Sequence, residues 1–86
     1  MLFRSEEFAL LVPERRGDVA AEVLARVRRE RMPFDLTVTV SLGTCAGPIA
    51  SEQDWKALYR HADQALYAAK AAGRDRVRHA AGPLAA

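Results

Sequence analysis

The stretch "LTVTVSLG" (36–43) alternates without a fault: Leu36, Val38, Val40 and Leu42 share one side, Thr37, Thr39 and Ser41 the other. Period-two alternation of this kind marks a strand with one face buried, and a buried face needs neighbours to cover it. Beyond Ser51 the period changes. "SEQD" is an S-x-x-D capping box in which Ser51 accepts from early helical amides and Asp54 returns the bond. Behind it Trp55, Leu58, Ala62, Ala65, Leu66 and Ala69 keep helical spacing as far as Ala72, and Gly73 supplies the left-handed residue that ends helices. "RVRH" then reads as a short last strand. Upstream, "EFALLVP" (7–13) reads as a buried strand apolar on both faces and stopped by Pro13. Gly17 and Asp18 open a helix whose apolar positions are Val19, Ala20, Val23, Leu24 and Val27, with Glu22, Arg26 and Arg29 directed elsewhere. Strands alternating with helices require crossover connections, with the helices packed on the sheet. The expected fold is α/β (α+β), a small sheet in the order β-α-β-α-β, with open edges because three strands cannot cover one another.

Eighty-six residues, half of them hydrophobic, make one soluble globular domain or part of one. The longest apolar run, residues 8–12, is far below the ~20 residues that span a bilayer. No membrane segment is expected. The single Cys45 cannot form an internal disulfide, so a reducing interior and a cytoplasmic location are expected. The net charge of +2 gathers as arginine in "RVRRER" (26–31) and "GRDRVR" (73–78). The first cluster reads as a solvated helix face balanced by Glu22 and Glu30, with phosphate attraction as its alternative. A nucleic-acid surface lacks the aromatic strand that would support it. His61 and His79 stand without metal-ligand spacing and read as surface histidines, while Cys45 reads as a small buried hydrophobe. The tail "AAGPLAA" (80–86) is expected to be flexible.

Three motifs in order carry a resemblance. Arg4-Ser5-Glu6-Glu7-Phe8 precedes an apolar strand; Ser41-Leu42-Gly43 ends another; and "ADQALYAAKAAGRDRV" (62–77) fits A-D-x-A-L-Y-x-A-K-x-x-G-R-[ND]-x-V almost without gaps. Residues 1–79 thereby resemble the C-terminal half of a GGDEF domain, the diguanylate cyclase family. The resemblance implies a nucleotidyl-cyclase-like fold and condensation of two GTP molecules into cyclic di-GMP between two half-sites. Such chemistry needs divalent metal held by carboxylates and cations that absorb phosphate charge. The resemblance implies Glu6 as the catalytic carboxylate and, with Glu7, as Mg²⁺ ligand, and Lys70, Arg74 and Ser5 as substrate-facing residues. The i, i+4 spacing of Lys70 and Arg74 at a helix end would put both within reach of a triphosphate. Each has a plainer reading beside it. Lys70 and Arg74 also complement the helix dipole, and Glu6 and Glu7 also serve as edge-strand charges against aggregation. Tyr67 and Leu66 read as core, and Asp63 as the anchor of a local hydrogen bond.

The motif departs from the family at its two glycines, here Arg4 and Ser5, where a tight turn needs positive φ and a phosphate needs bare backbone. The family's first strand, with its D-x-D-type metal ligand, and its guanine-recognising residues have no counterpart ahead of Leu2 and Phe3. The isolated chain is therefore expected to be inactive and to self-associate through uncovered strands, as a strand-swapped homodimer or with a partner chain. The alternative is a degenerate module that binds nucleotide or acts as an interaction or regulatory piece.

Overall fold

The structure, a computed structural model, describes residues 9–11, 18–30, 34 and 37–80. Two helices and two strands alternate: α1 (Val19–Arg29), β1 (Ser41–Cys45), α2 (Glu52–Ala71) and β2 (Arg76–Ala80). The strands are parallel, with Ser41 opposite Arg76 and Cys45 opposite Ala80, and α2 is the crossover that joins them. This is the α+β arrangement expected for part of the fold.

Each helix begins where its side chains satisfy the first free amides. Asp18 caps α1 by accepting from Ala21 N–H at 2.9 Å, and Ser51 caps α2 by accepting from Asp54 N–H at 3.3 Å. Asp54 returns a bond, but one residue earlier than the capping box places it, accepting from Ala50 N–H at 2.9 Å. Arg26, Arg28 and Arg29 crowd the last turn of α1, where positive charge opposes the negative end of the helix dipole.

The core is built from small side chains. Among the described residues, Ala20, Leu58, Ala65 and Ala69 are the buried apolar ones. A Cβ at Gly43 would come within 2.2 Å of both Ala62 O and Leu66 N. The β1 backbone therefore lies directly on the α2 backbone at Ala62 and Leu66, which glycine on the strand permits. Alternation along the strands turns Thr44 and His79 to the opposite face. There Thr44 Oγ1 shares a 2.5 Å hydrogen bond with His79 Nδ1, and His79 Nε2 lies 3.5 Å from Asp18 Oδ2. His79 is a surface histidine, as its sequence context indicates, with a side chain 55% exposed, and it lies between Thr44 of β1 and Asp18 at the start of α1.

Several expectations change. β1 starts five residues after Leu36 because β2 offers partners only to residues 41–45, and residues 37–40 lie outside the sheet. Ala80, assigned by sequence to the tail, closes β2; residues 81–86 fall outside the described ones. The proposed first strand is described only at residues 9–11, which are in no strand, and Leu10 and Leu11 are each 76% exposed, not buried. Apolar character buries a strand only where something packs on it, and among the described residues nothing does. Tyr67 is also 76% exposed. It sits two residues from Ala65, roughly 200° around the helix, and so faces away from the buried Leu58–Ala65–Ala69 line. Trp55 stays half exposed, packed edge-to-face on Tyr59 with ring centroids 5.4 Å apart.

Gly43→Ala should lower the stability by about 1–3 kcal/mol, toward the upper end because the clash is with backbone and no side chain can swing aside. Urea unfolding followed by circular dichroism measures it; an unchanged midpoint would mean that β1 does not ride on α2.

Candidate functional site

The last turn of α2 and the turn after it carry the described candidate residues. Lys70 lies in that last turn, and Asp63, Leu66, Tyr67 and Lys70 border a hollow of about 190 Å³ along one side of the helix. Spacings of three and four residues bring these side chains onto a common stripe. Asp63 therefore contributes to the same surface as Lys70.

Arg74 reaches this region by a different route from the one its i, i+4 spacing indicates. The helix ends at Ala71, and Ala72 is its C-cap. Gly73 N–H then donates to Lys70 O at 3.3 Å, and Arg74 N–H to Ala69 O at 3.0 Å. These are the two bonds of a Schellman motif, which closes a helix around a left-handed residue. Gly73 has φ of 121°, as expected for its position, but the left-handed run continues through Arg74 (64°) and Asp75 (50°). Left-handed backbone costs a non-glycine residue roughly 1–2 kcal/mol, less for aspartate, so such a run persists only where its surroundings hold it.

Those surroundings are two arginines. Arg76 Nε donates to Arg74 O at 2.8 Å. Arg28, from α1, donates through Nε to Asp75 Oδ1 at 3.1 Å and through a terminal nitrogen to Asp75 O at 2.6 Å. Arg74 itself is exposed, and among the described residues no side chain pairs with its guanidinium. Arg28 is the residue that sequence reasoning missed: "RVRRER" reads as a solvated face, and no local pattern announces a partner 47 positions away.

Ser5, Glu6 and Glu7 lie outside the described residues, so the geometry concerns Lys70 and Arg74 alone. Among the described residues no cluster of three His, Cys, Asp or Glu side chains is placed to hold a metal ion. Nor is any helix there long and apolar enough to cross a membrane. Cys45 sits half-buried at the end of β1; burial raises its pKa, and a hydrogen bond with the Ala46 backbone opposes part of the rise.

Comparison with known proteins gives this arrangement a context. The family model described as diguanylate cyclase, GGDEF domain, matches residues 2–76. The diguanylate cyclase DgcP of Pseudomonas aeruginosa is 37% identical over 82 residues, covering 87% of this chain and 12% of its own length. An uncharacterized protein of Bacillus subtilis, YhcK, is 41% identical over 80 residues, covering 84% of this chain and 22% of its own. The chain thus spans between about an eighth and a fifth of these relatives. No solved structure matches it.

Because the folded state holds the Cys45 proton more tightly than the unfolded state does, stability should be constant on the acid side of the free thiol's pKa and fall as pH rises through it. Urea midpoints across the alkaline range test this against Cys45→Ser, which should remove the Cys45 component of that slope. An equal slope in both proteins would contradict the assignment.

Proposed function

Because the chain belongs to the diguanylate cyclase GGDEF family, we propose that it supplies the phosphate-holding side of a GTP site, with Lys70 and Arg74 as the cations that meet the triphosphate. The supporting observation is the turn after α2, which ends the helix beside Lys70 and carries Arg74 outward on a hydrogen-bonded left-handed backbone. Lysine acts there as a compact charge and arginine as a planar fork matched to phosphate oxygens. The family match covers Ser5, Glu6 and Glu7 as well. In this reading Glu6 and Glu7 would hold Mg²⁺, which would supply a Lewis acid at an α-phosphate, Glu6 would also accept the proton of the attacking hydroxyl, and Ser5 would face the nucleotide. The product of a complete site is cyclic di-GMP, made in the cytoplasm between two half-sites.

The chain by itself binds nucleotide without turning it over. Arg4 and Ser5 stand where the family's motif has glycines, and a side chain at each position hinders both the turn and the approach of a phosphate. This favours the second reading, a degenerate module acting in binding or regulation, for the isolated chain. The exposed Leu10, Leu11 and Val38 support self-association, with a strand-swapped homodimer as the form that would cover them.

Charge-assisted hydrogen bonds to phosphate contribute about 1.5–3 kcal/mol when well formed, and exposure at this site puts the effect at the low end. Lys70→Ala and Arg74→Ala should each weaken GTP binding about 10-fold by calorimetric titration in Mg²⁺, while Lys56→Ala at the far end of α2 changes it less than about twofold. Equal losses in all three would indicate non-specific attraction. Release of cyclic di-GMP by the wild-type chain would overturn the binding-only reading.

A further inference from the structure

A guanidinium that is to meet a phosphate must be aimed before the ligand arrives, or part of the binding free energy goes into ordering it. Arg74 sits in the middle of a left-handed run, Gly73 to Asp75, that its own residue type does not favour. Its backbone is fixed by Ala69 O on one side and Arg76 Nε on the other. The Asp75–Arg76 peptide group is fixed from a distance. Arg28 grips Asp75 twice, once on the carboxylate and once on the main-chain carbonyl. One planar group holding both acceptors sets the orientation of that peptide in a way that a single bond cannot. Both partners are partly exposed, with side-chain accessibilities of 52% and 42%, so as a charge pair alone the contact is weak. Its consequence is geometric.

We propose that Arg28 is a positioning residue for phosphate binding: through Asp75 it locks the turn in the conformation that presents Arg74. The proposal rests on the phosphate role given above to Arg74 and adds to it a residue from another helix. Arg28 also lies in the last turn of α1, whose N-cap, Asp18, faces His79 at the other end of β2. The helix thus approaches β2 near both ends of that strand, at Asp75 and at His79.

The test uses the full 86-residue chain and inorganic triphosphate as probe, with binding followed by NMR at the Arg74 Nε–H and the Gly73 amide. Arg28→Lys keeps the charge but cannot hold both acceptors in one plane. It should weaken binding about 5–10-fold and, before any ligand is added, change the amide–α-proton couplings of Arg74 and Asp75. Asp75→Asn keeps the side-chain acceptor and the tolerance for left-handed backbone, and should stay within about twofold of wild type. Asp75→Ala should resemble Arg28→Lys, and the double variant should be no worse than either single one. Arg29→Lys, a neighbouring exposed arginine, should change nothing. Wild-type affinity in Arg28→Lys, with Arg74→Ala still impaired, would overturn the positioning role and leave the phosphate reading intact. Failure of the wild-type chain to bind triphosphate would overturn both.

Discussion

The rest of the structure depends on the approach of β1 to α2 at Gly43. A strand separated from a helix by ordinary side chains would stand off by the thickness of a leucine; here the glycine α-carbon is set against Ala62 O and the Leu66 backbone. That contact lies on the same helix as the buried Leu58, Ala65 and Ala69. It also fixes where α2 ends relative to the sheet. Close packing is short-ranged and unforgiving, so it specifies a single placement even with few large apolar groups.

From that placement the site is a consequence of how a helix must stop. The carbonyls at the end of α2 need donors, and the amides of Gly73 and Arg74 provide them. Satisfying the helix in this way turns the chain sharply and commits Arg74 to a left-handed conformation before it enters β2. The cost is offset by bonds from Arg76 within the turn and from Arg28 across the fold. One set of contacts thus ends the helix, starts the parallel strand and presents a cation. The family's [ND] position after the arginine, Asp75 here, is the residue through which α1 takes part.

The parts legible in the sequence are those that local physics decides. Asp18 and Ser51 announce helix starts because their side chains answer amides three residues on, and Gly73 announces an end because it tolerates positive φ. Lys70 and Arg74 are legible through the motif they complete. Contacts between distant residues are not: Arg28 with Asp75, and the link from Thr44 through His79 to Asp18, join positions that share no periodicity. Strand limits blur for a related reason, since alternation from Leu36 onward reports a residue pattern, whereas the ladder extends only where β2 supplies partners. Tyr67 is a different case. Its place beside Leu66 in a motif suggests core, whereas counting around the helix from Ala65 turns it to the exposed side.

The most direct test of this linkage is a map of backbone amide shifts in the 86-residue chain on addition of GTP and Mg²⁺. Saturable shifts concentrated at residues 70–76 among the described positions are predicted, with the α2 start around Ser51 and Asp54 unmoved. Shifts centred on the beginning of α2, or none between Lys70 and Arg76, would contradict it.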